Sequence, residues 1–366
     1  MNIQDYESRR NRKRAIARQR LIILGLCAFM CIVLIIVGAI LIRNILPGDA
    51  KPTKQPTMLP SISGTDPSGT TTDPSASVET TGTEGVSDEE RAALLAQLQK
   101  DVTAYLDSKA GRFSVCYINP SNGETIVYNE TAPMVAASSV KIAYNTYLYK
   151  QAAAGVFSMD EKMSYNSAAY PNGDYEAGTG TIQNSANGTE YTIREVSKLS
   201  IRISDNCGTN MVLRKLGGID AVNNGFMVPI SAVVNYRSAV TYKDYAGGTQ
   251  SGRHRSSAKD LAEYARELYD LYCTDPDSYQ GLIDDLSNTE FSWGIPAGLS
   301  GGEQVAHKVG FNTAYATYND VAIVFGTEDY ILCVMTESGN AETAKQIIAE
   351  VSRMVGKYIR DCHPGA

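Results

Sequence analysis

A run of 22 residues without a charge, from Leu21 to Ile42, constrains this chain more than any other feature of its sequence. At a rise of about 1.5 Å per residue, a helix of that length spans the roughly 30 Å hydrocarbon core of a bilayer. We therefore predict a transmembrane anchor over residues 21–46. The alternative is a cleaved signal peptide, whose apolar region normally covers only about 7–15 residues before a small-x-small site.

The charge of the flanking residues predicts how this anchor is oriented. Seven of the first 20 residues are Arg or Lys, and the positive-inside rule places such a basic tail, residues 1–20, in the cytoplasm. The chain after the anchor is then extracellular. Residues 1–43 carry a net charge of +6 and the rest of the chain carries −13. This acidic extracellular part argues against nucleic acid as a partner.

A stretch of low complexity follows the predicted anchor. Ser, Thr, Pro and Gly make up 25 of the 40 residues from Pro47 to Val86, and large apolar side chains are nearly missing from it. Such a composition cannot pack a core. We predict a disordered linker over residues 47–86 that tethers a folded domain, residues 87–366, to the membrane.

The start of the folded domain has the pattern of a capped helix. Ser87 can cap it while Glu90 reaches back to the cap, and apolar residues follow at helical spacing. Two strand-like runs, Phe113–Ile118 and Thr125–Tyr128, flank a cluster that contains Asn, Pro and Gly and predicts a hairpin turn.

The rest of the domain predicts an α+β fold. A long middle section has mostly helical patterns, including a second Thr-x-x-Glu cap at Thr192 and Glu195. The last apolar segments predict three strands and a helix, at Gln304–Phe311, Asn319–Phe325, Tyr330–Thr336 and Ala341–Ile359. In this order, terminal helices can cover one face of an antiparallel sheet.

Cysteine and histidine patterns do not predict a metal site or a cofactor. Five cysteines lie beyond the anchor, an odd number without a C-x-x-C pair, at Cys116, Cys207, Cys273, Cys333 and Cys362. Free thiols are the favoured interpretation, and one disulfide is the alternative. His307 could belong to a Ser-His-Asp triad, but a histidine in a strand is more often structural.

Nucleophilic chemistry is indicated at Ser138 and Lys141. A serine hydroxyl is a poor nucleophile until a base takes its proton, and a lysine three residues later on a helix lies on the same face. A backbone N–H at the start of that helix can also stabilise an oxyanion. The same spacing recurs at Ser256 and Lys259, where we interpret it as the start of a helix.

Two further motifs follow in a fixed order. Ser204-Asp205-Asn206 begins 66 residues after Ser138, and Lys308-Val309-Gly310 begins 102 residues after Asn206. With Ser138 and Lys141, they resemble the Ser-x-x-Lys, Ser-Asp-Asn and Lys-Thr-Gly motifs of the class A beta-lactamase and penicillin-binding protein superfamily. The flanking segments Thr192–Gly218 and Gly294–Gly310 are also similar to that family. The resemblance implies a beta-lactamase-like fold, in which terminal helices flank the sheet and an all-helical subdomain carries the nucleophile.

The resemblance also implies a role for each motif residue. Ser138 would be the acylated nucleophile, Lys141 its general base, and Ser204 the proton donor to the leaving nitrogen. Asn206 would bind Lys141 and the substrate amide, and Lys308 would supply positive charge near Ser204. The backbone N–H groups of Ser138 and Phe311, the latter just past Gly310, would form an oxyanion hole, while Asp205 would be structural.

Two departures from the family pattern limit what the resemblance implies. No Glu-x-x-Leu-Asn motif follows Ser-Asp-Asn, and the only acidic residues between Cys207 and Ser257 are Asp220 and Asp244. Asp244 could hold a water but is better interpreted as a loop carboxylate, so slow deacylation is expected. Val309 stands where the family usually has Thr, which removes a hydroxyl that helps bind the beta-lactam carboxylate.

Three functions remain open. The favoured one is a membrane-anchored, extracellular bacterial serine acyl hydrolase or transferase that acts on a peptidoglycan-type peptide, like a D-alanyl-D-alanine peptidase. The second is a beta-lactamase that hydrolyses beta-lactam antibiotics. The third is a catalytically inactive wall-binding or sensory module that uses the family's catalytic cleft only for recognition.

Overall fold

The computed structural model describes residues 85–365. The predicted cytoplasmic tail, the predicted anchor and nearly all of the predicted linker lie outside these described residues. Within the described part of the chain, no helix combines the length and the apolar character that a membrane span requires.

The described residues form a mixed set of helices and strands. In chain order the helices are α1 (Asp88–Asp107), α2 (Lys141–Ala153), α3 (Ile193–Arg202), α4 (Asn206–Lys215), α5 (Ile219–Val222), α6 (Val228–Ile230), α7 (Ala258–Thr274), α8 (Pro276–Ser287) and α9 (Ala341–Cys362). The strands are β1 (Arg112–Ile118), β2 (Thr125–Tyr128), β3 (Met134–Val135), β4 (Lys162–Ser164), β5 (Glu190–Thr192), β6 (Val240–Lys243), β7 (Thr249–Gly252), β8 (Arg255–Ser256), β9 (Gln304–Asn312), β10 (Thr317–Phe325) and β11 (Tyr330–Glu337).

Five of these strands build the main sheet, in the order β2-β1-β11-β10-β9. All neighbouring pairs are antiparallel, and β9 lies at one edge. The predicted hairpin forms its turn around Asn119, whose side-chain oxygen accepts the N–H of Ser121 at 2.9 Å. The strands predicted from apolar runs are confirmed, each with bounds extended by at most two residues at either end.

Side chains alternate between two cores because successive residues of a strand point to opposite faces. Val115 and Val334 pack with Val102 of α1 and Val351 of α9 in one buried cluster. Their neighbours Cys116 and Cys333 belong to a second cluster, which includes residues of α2 and α7. The terminal helices therefore cover one face of the sheet and the helical section covers the other, which confirms the predicted α+β, beta-lactamase-like architecture.

The helix starts follow the predicted caps. Ser87 accepts the N–H of Glu90 at 3.3 Å, and Thr192 and Glu195 form a complete capping box at the start of α3. The middle section is less uniformly helical than predicted, since three two-stranded ribbons, β3–β8, β4–β5 and β6–β7, interrupt it. Each of their strands has at most four residues, too few to show an alternating pattern in the sequence.

Candidate active site

Ser138 lies in a single turn of 3-10 helix, Ala137–Val140, directly before α2. The turn begins at Ala137, which has a left-handed backbone with φ of 49°. Ser138 lines a cleft of about 720 Å³. Its hydroxyl forms no hydrogen bond with any of the described residues, so it is free to approach a ligand.

Lys141, the first residue of α2, lines the cleft but is only 5% exposed. Its Nζ donates to the carbonyl oxygen of Ser204 at 2.8 Å and to Oδ1 of Asn206 at 3.0 Å, and lies 3.2 Å from the Ser204 hydroxyl. Burial lowers the pKa of Lys141 to about 7, although the charges of Asp205 and Glu176 oppose this shift. A large fraction of the amine is therefore neutral near pH 7 and able to accept a proton.

Ser204 joins two lysines. Its Oγ lies 3.2 Å from Nζ of Lys141 and 3.2 Å from Nζ of Lys308 on β9. Burial, and next the charge of Lys141, lower the pKa of Lys308 well below its ordinary value. Ser204 itself adopts a left-handed backbone with φ of 56°, a conformation that is uncommon outside glycine and often marks functional sites. The hydroxyl can pass a proton between the amines and a ligand.

The carboxylate of Asp205 holds the start of α4 against the segment of chain that precedes α3. One carboxylate oxygen caps α4 by accepting the N–H of Gly208 at 2.8 Å, and the other accepts those of Thr181 and Ile182 at 2.6 and 2.9 Å. The chain passes so close that a Cβ on Gly180 would lie 2.2 Å from the Asp205 carboxyl carbon. Asp205 therefore has the structural role that was expected of it.

The edge strand β9 closes the other side of the cleft. A Cβ on Gly310 would lie 2.5 Å from the backbone nitrogen of Ser139 and 2.9 Å from that of Ser138, so only glycine permits this approach. Phe311, the next residue, lines the cleft and is 38% exposed. An edge strand carries backbone N–H groups without a partner in the sheet, as an oxyanion site requires.

The structure brings the predicted site residues together. Five of them line the cleft, namely Ser138, Lys141, Ser204, Asn206 and Phe311. Lys308 reaches it through Ser204, and Gly310 packs behind the serine turn. Val309 is 1% exposed, and the expectation about its missing hydroxyl stays a prediction.

Other candidates from the sequence lie outside the cleft. Asp244 accepts the N–H of Gly248 at 2.7 Å in the β6–β7 turn, so it is a loop carboxylate. His307 is buried between Asp320, at 3.0 Å, and Thr289, at 3.1 Å, a structural bridge. Ser256 lies in β8, and the adjacent Ser257 caps α7. All five cysteines in the described residues are free thiols, and Cys273 alone among them is exposed.

Several cleft residues were missed by the sequence analysis. Glu176, Tyr170, Tyr175 and Thr179 come from a segment before Ser-Asp-Asn, and Tyr236 from one after it. Thr179 donates its hydroxyl to the carbonyl of Ser204 at 2.8 Å. No spacing pattern marks these residues, because their segments are loops whose composition fits any surface turn.

The arrangement combines four features: a serine hydroxyl without a hydrogen-bond partner among residues 85–365, a buried lysine of lowered pKa, a second serine between two amines, and the edge strand β9. Together with the fold, this arrangement is that of a serine hydrolase. The chain matches the beta-lactamase enzyme family over residues 97–359 and belongs to that family.

Known proteins resemble this chain at low identity. Beta-lactamase 3 of Bacillus cereus is 24% identical over 267 residues, which cover 71% of this chain and 78% of that protein. The solved structure of PBP-A superimposes with a TM-score of 0.61 at 24% identity, over 73% of this chain and 96% of that one. A point mutant of PBP-A, solved as an acyl-enzyme complex with penicillin G, gives a TM-score of 0.59 at 22% identity, over 74% of this chain and 97% of that one.

Proposed function

We propose that the protein is a membrane-anchored, extracytoplasmic serine acyl hydrolase or transferase that acts on peptidoglycan-type peptides, like a D-alanyl-D-alanine peptidase. The observation that carries this proposal is the Ser138 hydroxyl, open to the cleft and followed by Lys141, whose pKa burial lowers to about 7. The membrane anchor and the extracellular location rest on the apolar run Leu21–Ile42 and the basic residues before it.

The proposed reaction begins at Ser138. Neutral Lys141 takes the hydroxyl proton while Oγ bonds to the carbonyl carbon of the substrate, and the backbone N–H groups of Ser138 and Phe311 bind the resulting oxyanion. Ser204 then gives its proton to the leaving nitrogen as the C–N bond breaks, and recovers one from the two lysines beside it. An ester on Ser138 remains, which water or an acceptor amine releases as acid or amide.

Beta-lactam hydrolysis is the second candidate. A beta-lactam presents the same amide chemistry, in strained form, to Ser138, and the match to the beta-lactamase enzyme family favours this candidate. The two candidates differ in the lifetime of the acyl-enzyme. A catalytically inactive module is disfavoured, because Ser138, Lys141 and Ser204 meet at one cleft.

Intact-protein mass spectrometry of the full-length chain in detergent, incubated with benzylpenicillin from seconds to hours, tests the proposal. We expect an adduct that persists on the wild type and never forms on Ser138→Ala. An adduct on Ser138→Ala at the wild-type rate would refute the assignment of the nucleophile. A transient adduct with continued consumption of the drug would favour the beta-lactamase instead.

A further inference from the structure

Glu176 presents a carboxylate to the cleft and forms no ion pair with the described residues. Among the residues that the structure describes, neighbouring acidic groups are satisfied: Asp174 pairs with Arg214 at 2.8 Å, and Asp205 accepts three backbone N–H groups. The side-chain partner of Glu176 is the neutral amide of Asn210, at 3.0 Å. No described Lys, Arg or His forms an ion pair with Glu176, so its charge is available to a ligand.

Helix α4 holds this residue in position. Asn210 donates to the Glu176 carboxylate and also, at 3.3 Å, to the carbonyl of Asp174. The N–H of Glu176 donates to Sγ of Cys207 at 3.4 Å, and that thiol lies 3.5 Å from the Glu176 carbonyl oxygen. A carboxylate that is fixed before binding loses little entropy when a ligand arrives.

Two exposed tyrosines line the same cleft as Glu176. Tyr170 and Tyr175 are 42% and 39% exposed, and both line the cleft with Glu176. A short loop brings their backbones together, since the N–H of Tyr170 donates to the carbonyl of Tyr175 at 3.0 Å. Aromatic faces attract cations, and a carboxylate beside such rings suits an ammonium group.

We propose that Glu176, Tyr170 and Tyr175 form a subsite for a primary ammonium group of the substrate. This inference rests on the proposed function for the chemistry at Ser138 and names the substrate class. The acyl donor would carry an ammonium group on the part that lies along this wall, as a peptide with a lysine-type side chain or an aminopenicillin does.

A pair of penicillins tests the subsite in the full-length protein. Benzylpenicillin and ampicillin differ by one amino group. The rates at which they acylate the protein are compared at a pH below the pKa of that group, where it is an ammonium. We expect the wild type to react roughly three- to tenfold faster with ampicillin. Glu176→Gln keeps an acceptor for Asn210 but removes the charge, and should bring the ratio of the ampicillin rate to the benzylpenicillin rate to about one. Any effect of the lost charge on Lys141 changes both rates alike and leaves this ratio unaffected.

Glu190→Gln is the matched control, because it removes the same charge outside the cleft and should keep the wild-type ratio. A wild-type ratio of one, or an unchanged ratio in Glu176→Gln, would overturn the subsite. If Glu176→Gln instead lengthens the life of the acyl-enzyme at an unchanged ratio, the carboxylate activates water and the ammonium assignment is wrong.

The subsite can fail or stand independently of the proposed function. If neither penicillin reacts, calorimetry on the Ser138→Ala chain compares acetyl-Lys-D-Ala-D-Ala with the same peptide acetylated on the lysine side chain. Tighter binding of the free amine, lost in the double variant with Glu176→Gln, supports the subsite even when acyl transfer is disproved. Equal binding of the two peptides overturns it.

Discussion

Lys141 and Lys308 both contact the hydroxyl of Ser204, and their closeness affects how readily each amine is protonated. Both amines lie 3.2 Å from Oγ of Ser204 and both are buried. Two ammonium charges so close together in a low-dielectric site repel each other, so one amine gives up its proton more easily. Lys141 is the one that follows the reacting serine on the same turn, which makes its protonation state decisive for acylation.

The pKa of Lys141 predicts a pH dependence. Burial lowers that pKa to about 7, and only the neutral amine accepts the Ser138 proton. The rate of acylation should therefore rise as pH increases through about 7 and level off above it. Lys141→Ala should slow acylation by orders of magnitude and remove this rise. The measurement is the second-order rate constant for benzylpenicillin from acid to mildly alkaline pH, and a flat profile in the wild type would contradict the role of Lys141.

The close packing of Gly310 against the serine turn predicts that a larger residue at this position slows acylation. A methyl group there would lie 2.5 Å from the Ser139 nitrogen, so Gly310→Ala must push β9 away from the serine turn. We expect acylation to slow by at least about tenfold, since small displacements of reacting groups are costly. Gly326→Ala is the control, because its added carbon would meet only a Glu303 side-chain carbon at 3.4 Å and the Glu328 carbonyl oxygen at 3.9 Å. Equal rates in both variants would show that β9 does not position the oxyanion.

At the scale of elements, one carboxylate joins the segment before α3 to the start of α4. Asp205 accepts N–H groups from Thr181, Ile182 and Gly208, and Thr179 from the same segment contacts the carbonyl of Ser204. The position of the cleft wall that carries Glu176 therefore depends on Asp205, the residue that caps α4, although α4 comes later in the sequence than this wall.

Removing this connection should loosen the wall. Asp205→Ala leaves three backbone donors without their acceptor, so we expect a loss of about 3 kcal/mol in the free energy of unfolding. Hydrogen exchange should show faster exchange at Thr181 and Ile182. Thr192→Ala, which removes only a helix cap, should cost about 1 kcal/mol and leave those two amides protected. Unchanged protection in Asp205→Ala would mean that other contacts hold the wall.

Long elements of this domain could be predicted from the sequence, and its loops could not. The strands around Val321 and Val334 are long apolar runs, and the helix that includes Val351 has enough residues to show its helical periodicity. The motif residues Ser138, Ser204 and Lys308 could be found because three short patterns occur in a fixed order. Glu176 could not, since its position depends on a loop folded against α4 by Asn210 and Cys207, contacts that have no sequence period.

At the scale of the whole molecule, the cleft belongs to a domain that the sequence places after a basic tail, an apolar run and a linker rich in Ser, Thr, Pro and Gly. We propose that the 40 residues before the domain act as a tether, because a flexible chain of that length has a root-mean-square span of about 35 Å and would let the domain reach a wall polymer near the membrane surface. Acyl transfer on a polymeric substrate requires such reach, whereas hydrolysis of a diffusible beta-lactam does not.

Changes to the predicted anchor and to the predicted linker test whether the domain acts on a wall polymer or on a diffusible beta-lactam. The full-length protein should sediment with bacterial membranes and resist alkaline extraction, and protease added to spheroplasts should release the domain from outside. Replacing Leu34 and Ile36 with Arg should prevent stable insertion into the membrane, because each charge near a helix centre costs about 3 kcal/mol.

Deleting residues 51–80 should leave the rate of acylation by benzylpenicillin unchanged but lower processing of intact cell wall. Full wall processing with the shortened linker would show that the tether does not deliver the site to its substrate.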